Sequence, residues 1–351
     1  MKIDLLIGDN SYGTALHFSK GLSDALERLG IQTRLFWVGE GHFFHAFYEI
    51  LDDPPDLTLS FSDISLEGKP LGDLWRIPHL SLLVDPPIYF LHQFTGEYSW
   101  VSCVDERDCD FVRALNFSRL FFLPHAADAK LETPVDKKRP YDLVFFGTCI
   151  DYEEVLQSWK QEERELLLTA SERVLSSGGI SIVQALTQLG VKESDLPRYH
   201  NEVDRYTRGR DRIELIRSLD DHTIHIWGNG PWKKYITTQC IHPPLTFGQT
   251  LEVMKESKVV LNSSPRFKSG AHERIFYGVM CGASVYTGEN DYINAHLPSV
   301  QTYRFGEGAG TTFKDWQERA EQSQKHVLAA HTWDARAATL LSHTNSLSST
   351  I

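Results

Sequence analysis

The stretch KVVLNSSPRFKSGAHERIFYGVMCGASVYTGENDY, Lys258 to Tyr292, decides the reading of this 351-residue chain. Val259 to Leu261 is a short apolar run of strand type, and a polar loop with Arg266, Lys268 and Gly270 follows it. Apolar residues then recur at helical spacing from His272 to Cys281, Gly282 ends the helix, and Ser284 to Thr287 reads as the next strand. A strand, a loop and a helix in that order leave backbone N–H groups pointing outward at the helix start, where an anion is held. Gly270 lets the main chain approach such a ligand, and Arg266 or Lys268 would neutralise its charge. A pyrophosphate meets these requirements, although both cations also fit the plain reading of solvated loop residues.

Working outward, the same alternation recurs. Ile3 to Ile7, Thr33 to Val38, Leu57 to Phe61, His79 to Val84, Trp100 to Val104 and Leu120 to Leu123 read as strands. Helical patterns separate several of them, including His42 to Leu51 and Glu106 to Ala114, which implies a parallel sheet. Residues 1–129 are expected as one Rossmann-like domain. Residues 130–140 are charged, carry two prolines and have the composition of a linker. A second α/β domain is expected over 141–330, with strands at Asp142 to Phe146, Thr223 to Trp227, Val259 to Leu261 and Ser284 to Thr287. Residues 152–219 are rich in helix formers and read as a helical insertion, and 331–351 as a C-terminal helix with a Ser/Thr-rich tail.

The composition narrows the function. A formal charge of −12 disfavours a nucleic-acid backbone or an anionic membrane surface as a general partner, while leaving room for a local basic pocket. Five cysteines with scattered spacing and no CxxC pair fit buried free thiols and argue against structural zinc. The start MKIDLLIGDN has no long apolar run, and no stretch has the length of a membrane span, so the expectation is an unexported, cytoplasmic protein without an integral membrane segment.

Further candidates lie at the ends of strands. Asp85 closes the apolar run LSLLV and precedes two prolines, a place for a general base or for a turn-fixing aspartate. His125 in LPHAAD follows the last strand of the first domain; His17 and His92 are weaker candidates with no partner visible in the sequence. The loop Asp9 to Thr14 lies between strand and helix but lacks GxGxxG, so the dinucleotide fingerprint is absent. The run RYTRGRDRIELIR offers Arg208, Arg210 or Arg212 to a phosphate, or forms a charged helix face.

Taken together, LPHAAD, DLVFFGT, IHIWGNGPW, SKVVLNSSP, GAHERIFYGVMCGASVYT and HTWDARAATLL resemble the bacterial glycosyltransferases of the CgeB-like, glycosyl transferases group 1 type. These pieces cover most of the second domain and little of the first. The resemblance implies a GT-B fold: two Rossmann-like domains with parallel sheets facing across a cleft, the donor nucleotide on the second and the acceptor on the first. It also implies catalysis without a metal or other cofactor. Gly147 and Thr148 match the family's glycine loop, Gly228, Asn229 and Gly230 its glycine turn, Gly270 the start of the donor helix and Gly282 its end. The donor-binding set expected from loop and resemblance together is completed by Arg266, Lys268, His272, Glu273, Arg274 and Tyr277. Many related enzymes place a ribose-binding glutamate where this chain has Tyr277; Glu273, one turn earlier, shares its helix face.

The expected activity is transfer of a sugar from a UDP-, GDP- or TDP-sugar to a hydroxyl of a glycan, lipid, small molecule or protein, with Asp85 and His125 as the catalytic candidates. Two other readings share the architecture: a nucleotide-sugar 2-epimerase, and a non-catalytic protein that binds a sugar nucleotide or glycan.

Overall fold

The structure is a computed structural model that describes residues 1–8, 12–39 and 41–344. Asp9, Asn10 and Ser11 of the expected first loop, and the tail from Asn345, lie outside the described residues. The chain divides into two compact units, one comprising Met1–Ala129 with Ala330–Ile351 and the other Lys130–Ala329.

In the first unit the strands are β1 (Lys2–Ile7), β2 (Gln32–Trp37), β3 (Leu57–Phe61), β4 (Ser65–Leu66), β5 (Lys69–Pro70), β6 (His79–Leu83), β7 (Ser99–Cys103) and β8 (Leu120–Phe122). β4 and β5 make a small antiparallel hairpin, and the others form one sheet in the order β2-β1-β3-β6-β7-β8, parallel throughout. Ile3, Leu5, Leu6 and Ile7 are all buried, as expected where helices cover both faces of a parallel sheet. The covering helices are α1 (Thr14–Arg28), α2 (Phe43–Asp52), α3 (Leu71–Trp75) and α4 (Glu106–Ala114).

The second unit contains β9 (Tyr141–Phe146), β10 (Ile224–Trp227), β11 (Cys240–His242), β12 (Ser257–Asn262), β13 (Ser284–Gly288) and β14 (Gln301–Tyr303). Their order is β11-β10-β9-β12-β13-β14, again all parallel. This is the doubly wound order whose direction reverses between the first strand and the fourth. Helices α5 (Tyr152–Ser158), α6 (Gln161–Ser176), α7 (Ile182–Gln188) and α8 (Leu196–Ser218) fill the connection from β9 to β10. α9 (Trp232–Tyr235), α10 (Phe247–Lys255), α11 (Glu273–Met280), α12 (Asp291–His296) and α13 (Trp316–Ala330) follow, and α14 (Trp333–Thr344) returns to the first unit.

Two expectations need correction. The stretch 152–219 is not wholly an insertion: Ile213, Leu215, Ile216 and Leu219 pack with Leu143, Phe145, Ile224 and Ile226, so the second half of α8 is the crossover helix that covers the sheet. Nor is 130–140 a loose linker. Arg139 is buried and donates to the carbonyls of Pro134, Lys255, Ser257 and Cys281 at 2.9 to 3.1 Å, which satisfies chain ends at the base of the second sheet. α13 ends at Ala330 and α14 begins at Trp333, with His331 and Thr332 between them. Within the first unit the Arg336 guanidinium donates to the carbonyls of Pro124, His125 and Ala330, and Trp333 lies against Gly21 of α1.

Candidate anion site at the switch point of the second sheet

The strand order of the second unit reverses between β9 and β12. A crevice therefore opens beyond the carboxyl ends of these strands, where the loops carrying Gly147 and Thr148 and the segment from Asn262 to Gly270 emerge. The β9 and β10 loops continue the sheet: the Gly147 amide donates to the Trp227 carbonyl at 2.9 Å and the Cys149 amide to that of Asn229 at 2.8 Å. A β-carbon on Gly228 would lie 1.8 Å from the Gly147 carbonyl oxygen, and one on Gly230 would lie 2.1 Å from that of Cys149. These two glycines thus serve loop-to-loop contact, while Thr148 and Asn229 beside them are exposed.

The β12 loop is pinned from several directions. Ser263 donates to Asp211 at 2.6 Å, and Asn290 donates to the carbonyls of Phe267 at 3.1 Å and Gly270 at 3.0 Å. Lys268 is only 4% exposed, and its ammonium donates to the carbonyls of Val174 at 2.6 Å and Ser177 at 2.8 Å, at the end of α6. Its first task is therefore to close the last turn of α6, where carbonyls lack partners within the helix. Arg266 is half-buried, its guanidinium over the Phe267 ring at 5.1 Å.

At the start of α11, His272 brings Nδ1 to 2.8 Å from Glu273 Oε2 and to 3.2 Å from the Arg274 amide. Nδ1 accepts the Arg274 amide N–H and so caps the first turn of α11. Burial pushes the imidazole down from its ordinary value, opposed by Glu273. Arg274 reaches back to Asn262 Oδ1 at 3.1 Å, so the helix start and the end of β12 are tied together. Tyr277 is 2% exposed and meets Phe247 edge-on at 5.0 Å, which makes it a core residue despite sharing a face with Glu273.

The basic run on α8 supplies what the β9 loop lacks. Arg212 is 9% exposed and donates to the Thr148 carbonyl at 2.6 Å. Arg208 pairs with Asp204 at 2.8 Å, whereas Arg210 turns away to Glu172. The Nε atoms of both Arg208 and Arg212 are buried without a hydrogen bond. Burial, and then the charges of Arg208 and Arg274, push the Arg212 guanidinium down to about 9. Arg266 and Arg208 act in the same way on the neighbouring His200. Arg208, Arg212, Arg266, Lys268 and Arg274 outnumber the acids Asp204, Asp211 and Glu273 around them, so the local field favours an anion although the chain as a whole is acidic. Arg208 and Arg212 were visible in the sequence; their helical spacing gave no sign that one is buried.

In the first unit, Asp85 is exposed just beyond β6. His125 is 4% exposed, with its ring 5.7 Å from that of Phe18 and its carbonyl taken by Arg336. Among the described residues, no group of three or more His, Cys, Asp or Glu side chains is arranged to hold a metal ion, and no helix is long and apolar enough to cross a membrane.

Residues 208–342 match the model of a family described as glycosyl transferase-like. Sequence comparison with curated proteins finds no match. Among solved structures, the chain is similar to a sucrose-phosphate synthase from Thermosynechococcus elongatus, at TM-score 0.61 and 10% identity over 100% of both chains. It is also similar to AviGT4, a glycosyltransferase involved in avilamycin A biosynthesis, at 0.56 and 11% over 98% of this chain and 97% of that one. A third is an alpha-glucosyltransferase solved with UDP-glucose and DNA containing an abasic site, at 0.55 and 10% over 95% and 96%. With two parallel sheets, their strand orders and these neighbours, the chain has the two-domain α/β GT-B fold and carries a glycosyl transferase-like segment at residues 208–342.

Proposed function

We propose that the protein is a glycosyltransferase that takes a nucleotide-diphosphate sugar as donor and passes the sugar to an acceptor hydroxyl. The observation that carries this reading is the gathering of Arg208, Arg212 and Arg274 at the crevice between β9 and β12, with two buried Nε–H groups unbonded. A buried donor without an acceptor is costly, and a diphosphate supplies the missing oxygens. As the bond from the anomeric carbon to the diphosphate breaks, negative charge grows on the leaving oxygen, and fixed guanidinium groups stabilise it. They perform in this reading the neutralisation that a divalent cation would otherwise supply, so chelation by EDTA is expected to leave donor binding unchanged. A UDP-sugar is the first donor to test, because one structural neighbour was solved with UDP-glucose. Glu273 and the exposed Thr148 and Asn229 are the groups proposed for the ribose and sugar hydroxyls.

Calorimetric titration with UDP tests the site. Arg212→Ala and Arg274→Ala are each expected to weaken binding by roughly 10- to 100-fold, the loss of one charge-assisted contact. Affinity unchanged in both variants would remove the diphosphate from this crevice. Tight UDP binding with no turnover of UDP-glucose across simple alcohol and sugar acceptors would instead favour a binding protein, and conversion of the donor sugar without any acceptor would favour an epimerase.

A further inference from the structure

β11 is the edge strand of the second sheet and runs parallel to β10, with His225 opposite Cys240, Ile226 opposite Ile241 and Trp227 opposite His242. Side chains alternate between the two faces of a strand. Ile224, Ile226 and Ile241 pack in the core on one face, so His225, Trp227, Cys240 and His242 project together from the other.

On that face His225 Nδ1 lies 3.0 Å from His242 Nε2, with the two ring planes 7° apart. Neighbouring rings hold the pair from outside. Trp227 stacks on His242 at 4.5 Å, Phe146 stacks on Trp227 at 5.6 Å, and Tyr141 meets His225 edge-on at 4.8 Å. Both histidines are half-buried, and this frame limits how far either ring can turn. Two neutral imidazoles that face each other through ring nitrogens share one proton between them. Once that proton sits on the far nitrogen of its own ring, two lone pairs converge on one point. In a tetrahedral zinc site two ligating nitrogens stand roughly 3.3 Å apart, so the pair needs to open by only about 0.3 Å.

The third ligand is not already converged with the two rings, in keeping with the absence of a ready-made group of three among the described residues. Cys240 is the side chain placed to supply it: it is the register partner of His225, across a strand spacing of about 4.8 Å. It is also exposed, whereas the other four cysteines are buried, so its thiol can turn about the Cα–Cβ bond toward the pair. No CxxC spacing announces such a set, because its members come from two strands that only the sheet makes neighbours.

We propose that His225, His242 and Cys240 bind a zinc ion that clips the edge strand β11 to β10, with water completing the tetrahedron. Imidazole and thiolate ligands favour zinc over magnesium and calcium, which seek oxygen. On binding, each imidazole gives the ion a lone pair and keeps its proton on the other ring nitrogen, while the Cys240 thiol releases its proton to solvent. The site lies within one sheet of the second unit and is independent of the donor reading.

The test uses the full chain, stripped of metal by a chelator and dialysed. Calorimetric titration with zinc chloride is expected to show one ion bound per chain, and the melting midpoint to rise with zinc present. His225→Phe and His242→Phe keep a flat ring in the aromatic frame and remove the nitrogens. Both are expected to lose zinc while melting as the unaltered protein does in metal-free buffer. Cys240→Ser is expected to weaken binding by at least about tenfold. Cobalt(II) reads the ligands directly: visible bands of a tetrahedral complex are expected, with a near-ultraviolet thiolate-to-cobalt band that vanishes in Cys240→Ser. Zinc affinity unchanged in both phenylalanine variants would mean an adventitious ion only and overturns the site, as does failure of the unaltered protein to bind zinc. A cobalt complex lacking the thiolate band overturns Cys240 as a ligand.

Discussion

Removing the Lys268 ammonium would strip the buried carbonyl of Val174 and the half-buried carbonyl of Ser177 of their donor. Unsatisfied buried groups cost about 1 to 3 kcal/mol each, so Lys268→Ala is expected to lower the unfolding free energy of the second unit by roughly 2 to 5 kcal/mol. A urea midpoint equal to that of the unaltered protein would show that the contact is dispensable. Arg212 differs from Lys268 in geometry: its planar fork can bond the Thr148 carbonyl through one nitrogen and still present others to a ligand. Arg212→Lys keeps the charge but loses the fork, and its UDP affinity is expected to fall between those of the unaltered protein and Arg212→Ala.

At the scale of elements, the β9 and β10 loops form one unit of backbone. Gly228 does not have a positive φ, so the whole cost of a side chain there is the collision with the Gly147 carbonyl. Gly190, by contrast, has φ of 77° and open space around it. Gly190→Ala should therefore cost only the left-handed penalty of about 1 to 2 kcal/mol. Gly228→Ala should cost more, and should weaken UDP binding as well because the loop bearing Thr148 must move. Equal destabilisation of the two variants in parallel denaturation curves would contradict this account. α8 has two roles along its length: its later residues seal the sheet, while the turn with Arg208 and Arg212 sits at the sheet's carboxyl edge.

For the whole molecule, buried histidines set an acid response. His79 in the first unit is fully buried, bonded to Thr58 Oγ1 at 2.8 Å and Ser60 Oγ at 3.1 Å, and burial pushes its imidazole down to about 3. His200 in the second unit is pushed down to about 4, again mainly by burial. Both rings are neutral in the folded chain, whereas in the unfolded chain they take a proton near the ordinary value of about 6.5. Their contribution to stability is complete above that value and is lost as pH falls from it toward the folded values, by about 1.4 kcal/mol per pH unit for each ring. Asp211, whose carboxyl burial pushes up, opposes this trend at the acid end. His79→Gln should flatten the fall in unfolding free energy between pH 6.5 and about 5 relative to the unaltered protein. Identical slopes would show that His79 takes no part.

The alternation of strand and helix, and hence the doubly wound class, was legible in the sequence because periodicity is a local property of a chain. The strand, polar loop and helix start of β12 and α11 were legible for the same reason, since they are contiguous. The hairpin of β4 and β5 and the short edge strands β11 and β14 were not, because two or three residues carry no period. Nor could sequence tell how the buried bases are used: Lys268 donates to carbonyls at the end of α6, whereas Arg212 donates to the Thr148 carbonyl in the β9 loop. The pair Asp63 and His92 illustrates the limit. The residues lie 29 positions apart and meet because β3 and β6 are neighbours in the sheet, a fact fixed by strand order. Local pattern set the architecture and the loop; only tertiary packing, which alone fixes burial and partners, decided which side chains are available for chemistry.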